Sequence, residues 1–317
     1  MKNQVRLRDI SPRLTFQAQA GSTEQKVELI DRLTDAGLPA IEVSSFVHPK
    51  MVPGLADAEQ VFARIQRPAG VSLECCVGNL TGLKRAIDAG AHVAWFLLAT
   101  DEAFAKANIG RSIDDSLIEL EKMHELASQA DIQLGTYLIA AFGGPAGLAR
   151  GPETVDGLAH RLLSMGVDKW ILADSCGYAA PPQMRNMVQF AANLTGMHNL
   201  NVQVHDSRGM GLANVAELVA LGLHNIDLSL AGSGGHPAAP GASVGGVCSE
   251  DAVQMLDLMG VQSGVDLHKL IETANWLDKQ LGGREKGFTR RVGRVPVTAA
   301  ELEAFRAAQG TFNWQQK

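Results

Sequence analysis

No apolar run of about 18 residues, the length a membrane helix needs, occurs anywhere in this 317-residue chain. Nor does an apolar stretch follow a basic start, since Met1-Lys2-Asn3-Gln4 passes straight into a polar-alternating strand. These absences predict no membrane helix, no anchor and no signal peptide. Cys75, Cys76, Cys176 and Cys248 are the only cysteines, and they lack metal-like spacing; they fit a reducing, cytoplasmic setting better than a disulfide framework. There is no excess of basic charge. With 28 Lys and Arg against 34 Asp and Glu the net charge is −6, so neither a nucleic-acid nor a membrane partner is expected, although a small anionic substrate is compatible. The first strand is not followed by a nucleotide-type glycine loop, which weighs against an open doubly wound sheet.

What the chain does have is 46% hydrophobic residues, enough for a large core. Apolar strands are predicted at Val5–Ile10, Ala40–Ser45, Val71–Val77, His92–Ala99, Gln133–Ala140, Trp170–Asp174, Val202–Asp206 and Ile226–Leu230. A polar loop is expected from the first strand to Ser22. Ser22 or Thr23 then caps a helix, and further helices are read near Leu80–Ala89, Ile113–Ala130 and Val155–Met165. Strands alternating with helices at this pitch indicate α/β architecture, a (β/α)8 TIM barrel at 1–260. A C-terminal helical extension, 261–317, would contain a helix at Leu267–Leu281 and a basic tail that packs outside or stays mobile.

Polar residues at strand ends are where a barrel keeps its chemistry. They are Asp9 and Arg13, Glu42 and Ser44, Asp174 and Ser175, and His205 and Asp206. A glycine-rich stretch from Ala231 to Gly246 carries the single histidine His236 and reads as a loop over the mouth. The other histidines and the methionines read as surface or packing residues.

Six colinear stretches then carry a resemblance: Ser11-Pro12-Arg13 with Gln17; Ile41 to Val47 with Pro49-Lys50; Asn108-Ile109; Leu172-Ala173-Asp174-Ser175; Val204-His205-Asp206; and Ala231-Gly232-Ser233-Gly234-Gly235. Over about residues 5–280 the chain resembles the hydroxymethylglutaryl-CoA lyase family. The resemblance implies a barrel enzyme that cleaves a 3-hydroxyacyl-CoA by retro-aldol chemistry. In that family a divalent metal holds the substrate, an arginine steadies the thioester enolate, and a loop cysteine takes part in proton transfer.

The chain departs from the family at its centre. Leu14 stands where the family has a metal-binding aspartate, and Gln203-Val204-His205 replaces a His-X-His pair. Gly246 falls on an asparagine ligand, and His236 on the reactive cysteine. A lone histidine with a neutral glutamine does not suit Mg²⁺ or Mn²⁺, which favour several hard oxygen ligands, so the family's metal is expected to be absent. If one is retained, His205 with Glu42 or Asp174 would hold it.

The expected catalytic residues are therefore Arg13, His205, His236, Asp174 and Glu42, with Asp9 in support. Gln17, Ser44, Asn108, Gln203 and Lys50 are the expected substrate contacts. Lys106, Arg111 and the basic tail are candidates for CoA phosphates. Three readings stand: a metal-independent carbon–carbon lyase acting on an acyl-CoA or hydroxy acid; a non-catalytic acyl-CoA-binding or regulatory paralogue; and a conventional lyase with a rearranged metal site. A homodimer fits the resemblance.

Overall fold

Parallel strands covered on both faces need apolar side chains in both directions, and Ala40–Phe46 is buried along its whole length for that reason. The protein is described from a computed structural model covering residues 4–144, 151–235, 245–283 and 286–309. In its first half β1 (Arg6–Asp9), α1 (Ser11–Ala18) and α2 (Thr23–Asp35) lead to β2 (Ala40–Phe46) and α3 (Ala58–Arg64). There follow β3 (Ser72–Val77), α4 (Leu80–Asp88), β4 (Val93–Ala99), the single turn α5 (Glu102–Phe104), α6 (Ile113–Gln129) and β5 (Gln133–Ile139). The second half contains α7 (Asp156–Ser164), β6 (Trp170–Asp174), α8 (Pro181–Thr195), β7 (Leu200–Val204), α9 (Gly211–Ala220) and β8 (Asn225–Leu228). Outside these lie α10 (Ser249–Leu258), α11 (Leu267–Gln280), α12 (Thr289–Val292) and α13 (Ala299–Gln309).

The eight strands run parallel in sequence order, and β8 pairs back onto β1, closing the (β/α)8 TIM barrel. Helices start where the chain supplies caps. Ser22 and Gln25 form a reciprocal capping box on α2, and the Asn79 side chain accepts the Gly82 N–H at 2.8 Å on α4. One core layer lies between strands and helices, built from residues such as Leu29, Phe62, Leu120 and Leu218. A second fills the barrel, where Cys76, Trp95, Tyr137, Ile171 and Ala173 alternate inward along their strands.

The polar loop expected after β1 is a correction. Ser11 to Phe16 are buried within α1, a helix that begins two residues past the strand. Ser-Pro-Arg reads as a turn, but Pro12 sits in the first helical turn, where a missing N–H leaves nothing unsatisfied. The eighth strand also ends earlier than expected, because Leu230–Gly232 tightens into a 3₁₀ turn. Past residue 260, the Asp266 N–H donates to the Ala36 carbonyl, and Asp251 accepts the Phe288 and Thr289 N–H groups at the start of α12. Among the described residues, no helix is long and apolar enough to cross a membrane.

Candidate active site

Because α1 follows β1 so closely, it carries Arg13 straight into the C-terminal mouth of the barrel. Asp9 fixes the turn, accepting the Ser11 N–H at 2.9 Å, the Ser11 hydroxyl, and the Ser249 hydroxyl from α10 at 2.5 Å. Burial raises the Asp9 pKa, and those hydrogen bonds pull against the rise.

Arg13 Nε donates to Glu42 Oε2 at 2.5 Å, and its Nη1 donates to Gln17 Oε1 at 3.3 Å, one turn along α1. Burial disfavours the guanidinium charge, but Glu42 more than offsets this and keeps Arg13 protonated. The other Glu42 oxygen, Oε1, accepts the Tyr137 hydroxyl at 2.8 Å and the Cys76 thiol at 3.3 Å, and lies 3.2 Å from Arg8 Nη1. Burial alone would raise the Glu42 pKa, yet Arg13 and Arg8 outweigh it and hold the carboxyl below its ordinary range. Glu42 is thus a fixed counter-ion, with no proton to give near neutral pH.

Beneath this pair lies a network of inward-facing polar residues that the sequence did not reveal. Arg8, fully buried on β1, donates to Asp227 Oδ1 and Oδ2 at 2.8 and 2.5 Å, to Glu74 Oε2 at 3.0 Å and to the Tyr137 oxygen. Its guanidinium carbon lies 5.2 Å from the Trp95 ring centroid, and Trp95 Nε1 donates to Glu74 at 2.7 Å. Arg6 reaches the other Glu74 oxygen at 3.2 Å from the opposite, N-terminal mouth. Alternation of charged and apolar residues along a strand ordinarily marks a solvent-facing side, and here that side is the barrel interior.

The remaining expected site residues are distributed as follows. His205, 1% exposed, forms a bridge with Gly246 just past the end of β7, and Gln203 lies two residues earlier on the inward side. The two stems of the glycine-rich stretch meet beside it. Ser233 accepts or donates to Thr15 Oγ1 at 2.7 Å, and the Asp206 N–H donates to the Gly245 carbonyl at 3.2 Å. A side chain on Gly234 would meet Leu14 at 2.7 Å, so that leucine, 1% exposed, is covered by the first stem. His236 lies outside the described residues. Ala231 takes the left-handed φ of 55°, and the buried Glu250 accepts its N–H at 3.0 Å. Burial pushes the Glu250 pKa up to about 8.

Asp174 was expected in the cavity. Instead both its oxygens serve the loop after β6, accepting the Tyr178 and Ala179 N–H groups at 2.8 and 3.2 Å. Burial lifts its pKa to about 6 against those bonds. The Ser44 hydroxyl is sealed off without a hydrogen-bond partner among the described residues, and Lys50 is exposed on the loop after β2. Asn108 belongs to a π-helical turn, Ala105–Ile109, at the rim.

An open cavity of about 420 Å³ lies among the segments that follow β2, β3 and β4, and it reaches the Arg13 side through Gln17, which accepts from Arg13 Nη1. Gln17, Ser45, His48, Leu97, Ile109 and Arg111 are among its walls. Arg111 donates to the Gly78 carbonyl and lies over the Phe96 ring, so its charge is anchored at that wall. Lys106 is exposed and pairs with Glu102 at 3.5 Å.

The donors present do not suit the family's divalent metal. Leu14 and Gln203 supply no anionic oxygen, Glu42 is engaged by two arginines, and Asp174 by backbone amides. Among the described residues, no group of three or more His, Cys, Asp or Glu side chains is placed to hold a metal ion.

Residues 4–277 match the HMGL-like family model. The chain is 34% identical over 285 residues to hydroxymethylglutaryl-CoA lyase YngG of Bacillus subtilis, covering 88% of this chain and 93% of that protein. The human mitochondrial hydroxymethylglutaryl-CoA lyase is 34% identical over 283 residues, covering 89% and 87% respectively. An HMG-CoA lyase from Acinetobacter baumannii, solved in complex with coenzyme A and 3-methylmalate, superposes with a TM-score of 0.89 at 30% identity, covering 94% of this chain and 98% of that one. The length of these matches, together with a barrel whose Arg13 on α1 and paired Glu42 stand at the mouth, makes the chain a member of the HMGL-like family and a carbon–carbon lyase.

Proposed function

We propose that the chain cleaves a 3-hydroxyacyl-CoA, or a closely related hydroxy acid, by retro-aldol chemistry without a divalent metal. The observation that carries this reading is the buried Arg13–Glu42 pair at the barrel mouth, with the apolar Leu14 next to Arg13 in place of an anionic ligand. The names of the relatives and the coenzyme A held by the A. baumannii enzyme support the substrate class.

In the proposed reaction a base takes the proton from the 3-hydroxyl. The C2–C3 bond breaks, C3 becomes a carbonyl carbon, and the electron pair passes through C2 into the thioester as an enolate. Protonation at C2 then releases the acyl-CoA. Arg13 supplies the positive charge that receives the enolate oxygen, and the apolar Leu14 wall strengthens that interaction by excluding water. His205 is the proposed proton carrier within the mouth, and the resemblance alone assigns a partner role to His236. Gln17, Gln203 and Asn108 are proposed to contact the substrate, and Arg111 with Lys50 to meet CoA phosphates at the rim. We assign this catalysis to the barrel, 1–260, with 261–317 as a buttressing extension. A cytoplasmic homodimer is the proposed setting, and four buried free thiols support a reducing compartment.

Elemental analysis of the purified protein, paired with a hydroxymethylglutaryl-CoA cleavage assay with and without EDTA, tests the reading. Cleavage that persists in EDTA, in protein without stoichiometric metal, is the expected result. One metal per chain and EDTA-sensitive cleavage would restore a conventional mechanism with substitute ligands. Coenzyme A binding without cleavage of any hydroxyacyl thioester would favour a binding paralogue.

A further inference from the structure

Five charged side chains of alternating sign run through the barrel from one mouth to the other. Arg6, with its side chain 40% exposed at the N-terminal mouth, lies 3.2 Å from Glu74, and Glu74 lies 3.0 Å from Arg8. Arg8 is 3.2 Å from Glu42, and Glu42 is 2.5 Å from Arg13. Asp227 flanks the central arginine at 2.5 Å, so three carboxylates and three guanidiniums balance. We propose that Arg8 and Tyr137 are positioning residues for Arg13: they hold Glu42 by one oxygen and share its charge, so that Arg13 is fixed in place yet stays electropositive toward the substrate. This rests on the retro-aldol reading and deepens it.

A carboxylate paired with Arg13 alone would orient the guanidinium but also cancel most of its field. Here the two oxygens are divided. Oε2 faces Arg13, while Oε1 is held by the Tyr137 hydroxyl at 2.8 Å and by Arg8 at 3.2 Å. A second cation on the far oxygen leaves the Arg8–Glu42–Arg13 group with an excess positive charge at the mouth end, while Asp227 and Glu74 compensate Arg8 deeper in the barrel. Geometry works the same way. Arg8 is 0% exposed, lies against the Trp95 and Tyr137 rings at 5.2 and 5.6 Å, and cannot swing away, so the oxygen it grips cannot either. A lysine there would carry the charge without the planar fork that reaches three carboxylates at once.

Two conservative variants, Tyr137→Phe and Arg8→Lys, test the assignment in the full-length protein. Each is read by steady-state kinetics on hydroxymethylglutaryl-CoA and by the Arg13 Nε–H signal in nitrogen-labelled protein, identified by its loss in Arg13→Lys. Tyr137→Phe removes one hydroxyl and serves as the decisive variant if Arg8→Lys does not fold. The expected result is a displaced or exchange-broadened Arg13 signal and a kcat lowered by about 10- to 100-fold with KM within twofold of the parent. An unchanged Arg13 signal in a folded variant overturns the proposal, whether or not activity falls, because the network would then serve stability only. A displaced signal with unchanged kcat overturns it too. If the parent cleaves no acyl-CoA, the functional reading fails by itself, and the Arg13 signal alone decides whether Arg8 and Tyr137 position that guanidinium.

Discussion

At the scale of single residues, the proposed chemistry turns on how Arg13 would be shared between the protein and a substrate. Nε and one Nη1 hydrogen bond are committed to Glu42 and Gln17, and among the described residues Nη2 has no protein partner. An enolate oxygen can therefore be met by donors already in place, which is how a fixed fork contributes more to a transition state than to a ground state. Arg13→Lys keeps the charge but loses that division of labour. Its kcat is expected to fall on the order of 100- to 1000-fold, with thermal stability little changed, and parallel kinetics and melting curves check this. Leu14 shows how far one side chain redirects a site: a carboxylate there would lie 1% exposed under Gly234 and would need a cation, whereas leucine needs none.

At the scale of elements, the mouth depends on α1 and on the two stems of the glycine-rich stretch that clasp it. Gly245 shows how tight the clasp is, because a Cβ there would lie 2.0 Å from the Ser233 carbonyl oxygen and 2.4 Å from that of Gly232. Both obstacles are backbone. Gly245→Ala is expected to destabilise the protein by about 1–3 kcal/mol and to lower activity at temperatures where the fold persists, measurable by chemical denaturation alongside turnover. All eight strands were legible in the sequence, some as apolar runs such as Val93–Ala99 and others, β1 among them, as apolar residues alternating with polar ones. Helix α1 was not, because Ser-Pro-Arg directly after a strand carries the signals of a turn. Arg13 and Glu42 stood out separately because both lie near strand ends in stretches resembling a known family, while their ion pair is visible only in the fold. Arg8, Glu74, Tyr137 and Asp227 were hidden, since a charge alternating with apolar neighbours looks the same whether it faces water or the interior of a barrel. Asp174 misled for a related reason: a strand-end carboxylate can satisfy loop amides as readily as it can face a substrate.

At the scale of the whole molecule, buried ionisable groups tie stability to pH. Burial raises the Glu250 pKa from 4.5 to about 8, so the folded state retains a proton that the unfolded chain releases. The sign follows: this contribution is complete below pH 4.5 and is lost as pH rises through 8, at about 1.4 kcal/mol per pH unit in between. Glu250→Gln is expected to flatten that part of the stability profile, which denaturation series at stepped pH would reveal. Arg8 and Asp227 join the first strand to the last across 219 residues of sequence. Until β8 docks, Arg8 has Glu42 and Glu74 but lacks its two-point partner Asp227, and burying it in that state would carry a desolvation cost that the last strand offsets. The first strand has two registered partners on β2 and four on β8, so a chain truncated before its last strand is expected to leave β1 loosely held, and closure of the barrel is expected to be cooperative.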